Sequence, residues 1–519
     1  MTNDLKVRIT PRIILFSLIL ALGILARVWG FGSLPPGLNA DEAGVGVDAF
    51  SIYHYGVDRN GISYPVHLVS DGSGQTALYS YILIPFIALF GLSTLSVRLP
   101  MLIAGILSLP LVYVIGKHIG DEKYALIAMF LLAISPWHIV LSHWGFEGNS
   151  LPFIFLIGFA CLLKSRAGNY WFILACLFFG LSLYAYWTAH VAITIFMICS
   201  VLVLIYAKRV NVRSLGFGLF ILFLIGLPIG LFVLINLLHL DTIHLGAVTI
   251  PRLPTQPRWE TVTVLSGGNP FRFLIVNFIS VLKLLWAGSD GLTSNSVEPY
   301  GYFYPFTLPF AILGAFLLIR YWNVNNKPDR LLLLSWFAAS LVIGLIQLVN
   351  INRVNLIFIP LILFVAAFLA WLGDRSHAGL IVAIAALLVG FAFFTREYHS
   401  SQYQHRARKT FVSGLVPAVE YASRTGDHPI CVTDEVLMPH IFVLFAEQLN
   451  PAHYLGTIRY QIVGGEFRRV TALGRYTFGL ENCPPQADMI YILSGGKPPN
   501  EDINYNKKRF LDFMVYSPK

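Results

Sequence analysis

Charge is scarce in this chain. Asp, Glu, Lys and Arg make up 12% of its 519 residues, about half the roughly 25% usual for soluble domains. With 56% hydrophobic residues and a mean hydropathy of +0.68, an ordinary soluble fold is excluded. Apolar stretches of ~20 residues recur, each long enough to span a hydrocarbon core. Cysteine is scarce too, with five residues and no metal-type spacing. Cys161, Cys176 and Cys199 fall in apolar segments and read as packing residues. Cys431 and Cys483 lie in a polar C-terminal region, where a bridge and two unlinked thiols stand equally open. No Gly-rich phosphate loop, Ser-His-Asp order or nucleotide signature is present, so a transferase of this sequence must take an activated donor carried in the membrane. Internal repeats and low-complexity tracts are also missing. The net charge of +9 sits largely in short loops, as the positive-inside rule expects, and does not point to nucleic acid.

Apolar length and Lys/Arg placement predict eleven spans. The first, 12–30, follows Lys6, Arg8 and Arg12 and reads as a retained helix with a cytoplasmic N-terminus. Then come 97–116, 124–142, 150–163, 170–187, 190–207, 215–237, 305–320, 331–349, 354–372 and 378–395. Long outer segments occupy 31–95 and 238–304. Within the first, 77–90 is apolar, contains Pro85 and ends at Gly91, which predicts a re-entrant or interfacial helix. Within the second, 271–286 is amphipathic and is expected to lie on the membrane. Counted this way, the inner loops are basic or mixed. If 77–90 spanned instead, Lys208–Arg213 and Arg320–Arg330 would face outward.

Composition shifts after Thr395. Residues 396–519 are polar and mixed, with short apolar runs at 429–433 and 489–493 that read as buried strands and a helical run at 440–448. The predicted architecture is an all-α polytopic membrane module over 1–395, with about eleven spans, followed by a small extracytoplasmic α/β domain over 396–519.

Two acidic motifs fall on one predicted face of the membrane. The first is Asn39-Ala40-Asp41-Glu42 and the second is Trp144-Gly145-Phe146-Glu147-Gly148. Asn39 and Glu42 have the spacing of a capping box, with Asn39 as N-cap and Glu42 reaching back. A capping role accounts for Glu42 better than for Asp41. Asp48, seven residues on, shares a helix face with Asp41. A carboxylate at a half-dry interface has its pKa raised toward that of a useful base, so Asp41 is the leading catalytic candidate. Glu147 is the second, against the plain alternative of a solvated loop acid, and Glu42 is the third, against its capping role. Three cations are candidates for a phosphate. Arg353 stands at the outer edge of span 354–372, Arg98 begins span 97–116, and Lys283 lies in the amphipathic stretch. Each has a rival role as a membrane anchor or snorkelling side chain. His54, His67, His143, His190, His239 and His244 lie at or near the outer side without ligand spacing. No cofactor is required by these residues. A divalent metal on Asp41 and Glu147 is open.

These motifs resemble those of the GT-C glycosyltransferases, in the branch with protein O-mannosyltransferases and the aminoarabinose transferases of lipid A. The likeness is carried by Pro35-Pro36-Gly37-Leu38 before Asp41-Glu42, and by Gly56-Val57-Asp58-Arg59-Asn60-Gly61. Tyr79-Ser80-Tyr81, Phe90-Gly91 and Arg98-Leu99-Pro100 follow in the same order. Ser135-Pro136-Trp137-His138 with Ser142 and Glu147 is similar to the second acidic motif. The match covers about the first 165 residues, and the rest by architecture. The resemblance implies transfer of a sugar from a polyprenyl-phosphate carrier to an acceptor hydroxyl on the outer face. Asp41 would then be the base, Glu147 the second acid, which orients the acceptor or helps bind a metal, and Arg353 the holder of the donor phosphate. His143 departs from the pattern, because relatives place Arg after that Ser. The sugar is left open, and the acceptor can be protein, lipid or glycan.

Two other functions fit part of the sequence. A transporter would use the same acids for protons or cations, but its ionisable groups belong near mid-membrane in repeated halves. A non-catalytic partner of an envelope enzyme would leave Asp41 dispensable.

Overall fold

The computed structural model describes residues 10–321, 326–462, 467–484, 488–495, 498 and 504–519. Lys6 and Arg8 lie outside them. Helix α1 (Pro11–Val28) starts with Pro11 behind Thr10, whose side chain accepts from the Ile13 N–H. Helix α2 (Ala40–Tyr55) carries the first acidic motif and ends at Gly56, whose φ of 71° stops it in the left-handed region. A hairpin of β1 (His67–Ser70) and β2 (Ser73–Thr76) follows. Next come the short apolar α3 (Leu78–Phe90) and the long α4 (Thr94–Ile119).

The predicted span 124–142 is two helices, α5 (Glu122–Ala133) and α6 (Pro136–Leu141). Pro136 has no N–H and its ring clashes with the preceding turn, so the helix breaks there. The break frees carbonyls in an apolar interior. Buried Arg27 takes them, donating to Leu132 O at 2.9 Å and Ala133 O at 3.1 Å, with His138 Nδ1 at 2.8 Å.

Helices α7 (Glu147–Lys164), α8 (Tyr170–Ser182), α9 (Ala189–Tyr206) and α10 (Val212–Leu237) continue the bundle. A small hairpin, β3 (Ile243–Leu245) with β4 (Val248–Ile250), leads to α11 (Arg258–Val262) and α12 (Pro270–Ala287). Helices α13 (Leu308–Arg320), α14 (Lys327–Ile346), α15 (Phe358–Arg375) and α16 (His377–Tyr398) complete it. Among the described residues, nine helices are long and apolar enough to cross a membrane. The count differs from eleven for three reasons. The span predicted at 124–142 is broken, α8 and α13 are short, and α12, expected on the surface, is by length and apolarity a candidate span. The bundle is layered. In α7, 83% of the apolar window is buried, against 11% in α16. Phe217, Phe220 and Phe223 of α10 point outward, as suits a helix facing lipid rather than protein.

After α17 (Ser401–Thr410) and α18 (Leu415–Arg424) comes β5 (Ile430–Val432), then α19 (Pro439–Glu447) and α20 (Pro451–Tyr454). Strands β6 (Arg459–Ile462), β7 (Arg468–Leu473), β8 (Tyr476–Phe478), β9 (Ile490–Leu493), β10 (Tyr505–Phe510) and β11 (Phe513–Pro518) build one mixed sheet. Its order is β10-β11-β9-β5-β8-β7-β6. Central β5 is parallel to both β8 and β9 and wholly buried, which is why it reads as an unbroken apolar run. Both predicted strands and the predicted helix are present. Cys431 in β5 is bonded to Cys483. Helix α19 packs on α2, so the C-terminal region meets, through α19, the helix that carries Asp41.

Candidate active site

The loop before α2 is pinned before the helix begins. Leu38 N–H donates to Phe411 O (2.6 Å), Asn39 Nδ2 to Thr410 O (3.1 Å), and Ser413 Oγ to Pro36 O (2.8 Å). Asn39 then caps α2. Its side chain accepts from Asp41 N–H at 2.9 Å, and its own N–H donates to Glu42 Oε2 at 3.0 Å.

Glu42 is consumed by this construction. It also accepts from Arg98 Nε and Nη2, each at 2.8 Å, and from Gly145 N–H at 2.7 Å. Arg98 also donates to Pro35 O and Gly37 O, both at 2.8 Å. Both side chains are fully buried. The catalytic expectation for Glu42 and the phosphate expectation for Arg98 are therefore corrected. The pair ties α2, α4 and the second acidic motif together, and neither residue lines the cavity described next. Lys283, the third phosphate candidate, lies on an exposed side of α12 and is not among the residues that line that cavity.

Asp41 and Glu147 face one cavity of about 620 Å³. Glu147 is the first residue of α7 and is buried; its Oε2 accepts from Gln75 Nε2 on β2 at 3.2 Å. Asp41 is half-buried at the first turn of α2. Removal from water raises the pKa of its carboxyl, Glu42 and Asp71 add to the rise, and Arg258 and Arg59 oppose it. Arg258 of α11 and Arg353 of the loop before α15 line the same cavity. Arg353 Nη1 donates to Leu348 O at 3.1 Å.

The far wall comes from the C-terminal sheet. His440 of α19 meets Asp71, at the β1–β2 turn, at 3.2 Å, and Arg468 N–H donates to Asp71 O at 2.8 Å. Segments distant in sequence, among them those around Asp41, Asp71, Glu147, Arg258 and Arg353, thus enclose one chamber with the C-terminal region. Arg258, Gln75, Asp71 and His440 escaped the sequence reading because each is an isolated polar residue without motif spacing. For Arg258 no local signal exists.

The histidines sort by position. His67 and His190 line the cavity. Burial pushes the His67 imidazole down to about 3, so the ring, stacked on Phe232, stays neutral. His143 is buried away from the cavity, bonded to the Tyr398 hydroxyl (2.8 Å) and the Arg27 carbonyl (2.7 Å), and holds no phosphate. Among the described residues, no three His, Cys, Asp or Glu side chains are placed to hold a metal ion.

Known proteins share this architecture. ArnT from Cupriavidus metallidurans bound to undecaprenyl phosphate superposes with a TM-score of 0.58 at 11% identity, covering 97% of each chain. The fold is the GT-C type. The same transferase in its apo state gives 0.57. The Archaeoglobus fulgidus oligosaccharyltransferase, in complex with Zn and sulfate, gives 0.53 at 13% identity over 83% of this chain. This chain spans only 61% of that protein's length. Residues 68–244 match the family model for dolichyl-phosphate-mannose-protein mannosyltransferase. No curated protein matches the sequence. The GT-C fold makes the chain an integral membrane protein, with its chamber at one end of the helix bundle.

Proposed function

We propose that the chain is a membrane glycosyltransferase that moves a sugar from a polyprenyl-phosphate donor to an acceptor hydroxyl. The observation that carries the reading is the chamber itself, whose lining brings Asp41 and Glu147 together with Arg258 and Arg353. Asp41 removes the acceptor proton as the hydroxyl oxygen attacks the anomeric carbon. The bond to the polyprenyl phosphate breaks in the same displacement, inverting that carbon. Glu147 orients the acceptor. Arg258 and Arg353 steady the departing phosphate, which needs charge stabilisation more than an acid. In this reading the membrane module is 1–395, and the sheet domain, 396–519, closes the chamber and meets the acceptor. The Cys431–Cys483 bridge favours an oxidising, extracytoplasmic side for that domain, with the N-terminus cytoplasmic.

The test is turnover of a radiolabelled panel of polyprenyl-phosphate sugars, supplied with hydroxyl-bearing peptide, lipid and glycan acceptors, by the detergent-purified protein and by Asp41→Asn. Donor consumption by the wild type, abolished in a folded Asp41→Asn, is expected. No donor consumed by the wild type, or full activity in Asp41→Asn, overturns the reading.

A further inference from the structure

Behind the chamber wall lies a charged group that the reaction above does not use. Asp48, two turns along α2 from Asp41, and Arg59 are both buried. Arg59 donates its backbone N–H to Asp48 Oδ1 at 3.1 Å, and its Nη1 stands 3.5 Å from Asp48 Oδ2. Its Nη2 donates to Gln75 Oε1 at 3.2 Å. Gln75 Nε2 then donates to Glu147 Oε2 at 3.2 Å. Asp48, Arg59, Gln75 and Glu147 form one unbroken line of polar contacts, all buried.

The line has a direction. A guanidinium has donors only, so Gln75 must turn its oxygen to Arg59. That leaves the amide NH2 for Glu147, which must accept. The opposite amide orientation would set NH2 against guanidinium and oxygen against carboxylate. Arg59 is itself clamped. A Cβ at Gly44 would collide with its guanidinium, and its carbonyl accepts from the Tyr454 hydroxyl at 2.8 Å. Asp48 sits on the helix that opens with Asp41. The two acids of the chamber are thereby joined through a rigid path that does not cross the cavity.

Resting on the reading above, we propose that Gln75 and Arg59 are positioning residues, which hold the Glu147 carboxylate as an acceptor at a set place relative to Asp41. Glu147 opens α7 and Asp41 lies in the first turn of α2, so each acid is placed by a different helix. Displacing a positioned group by about 1 Å costs on the order of 100-fold in rate.

Gln75→Met keeps the side-chain length and removes both hydrogen bonds. Its expected effect is a fall in kcat of about 100-fold with KM for the polyprenyl-phosphate donor within about twofold. Gln75→Asn, which keeps the amide but is one methylene short, should fail to rescue. Asp48→Asn alone should lower kcat less. In Asp48→Asn/Gln75→Met it should add nothing, because a broken link makes the one behind it irrelevant. Wild-type kcat in Gln75→Met, or losses that simply multiply, overturns the proposal. A cryo-EM structure of Gln75→Met adds a readout independent of turnover. A displaced Glu147 carboxylate supports the relay, and an unmoved one sinks it. A wild type that consumes no donor would defeat the proposed function, while this structure would still decide the relay.

Discussion

Asp41 and Glu42 are neighbours on the first turn of one helix, yet they belong to different regions. Glu42 points into the junction of α2 with α4, where Arg98 and two backbone N–H groups satisfy its oxygens. Asp41 points into the chamber, half-buried, with a raised pKa and Arg258 as the largest opposing influence. A buried carboxylate with all its acceptor sites filled is architecture. One drawn out of water and left facing an open cavity is available for proton transfer.

The sharpest way to break this contrast is Glu42→Ala. It leaves Arg98 charged and buried without its partner, which costs about 3–5 kcal/mol. A marked loss of thermal stability in detergent is expected, and activity should fall with it. Glu42→Leu/Arg98→Met should recover only part, because Pro35 O, Gly37 O and Gly145 N–H stay unpaired. In the other region, Asp41→Asn should lower donor turnover by about 10²–10⁴-fold with the melting temperature within about 2 °C of wild type. A matching loss of stability would make Asp41 structural as well.

Arg258→Gln sharpens the electrostatics. The base works ionised, so turnover falls as pH drops through the pKa of Asp41, which is raised above the ordinary carboxylate value. Arg258 opposes that rise, so removing it raises the pKa further. The acid limb of the pH–rate profile should move to higher pH. A limb that stays put would separate Arg258 from Asp41. Lys283→Ala gives the smallest effect. Donor KM should change by less than about twofold, since Lys283 lies off the chamber, and a larger change would return it to donor binding.

Much of this molecule was legible in the sequence. Apolar runs of membrane length gave the bundle, the Asn39–Glu42 spacing gave the cap, and two unbroken apolar runs gave β5 and β9. These are local properties, written in consecutive residues. The sequence reading failed where a local signal had two physical outcomes. Pro136 broke a span because Arg27 was at hand to take the exposed carbonyls. Arg98 looked like an outer-edge cation available to phosphate until Glu42 was found against it.

By itself, then, the sequence determined that the chain lives in a membrane, that helices dominate its first three quarters, and that Asp41 stands at a helix start. Tertiary structure alone decided that these acids share a chamber with Arg258 and Arg353, that Glu42 is neutralised, and that Gln75 faces Glu147 with its amide NH2. The physical reason is range. Helix periodicity and capping act over a few residues, whereas a carboxylate's solvation and its partner are set by segments hundreds of positions apart in sequence, which only folding brings within a few ångströms.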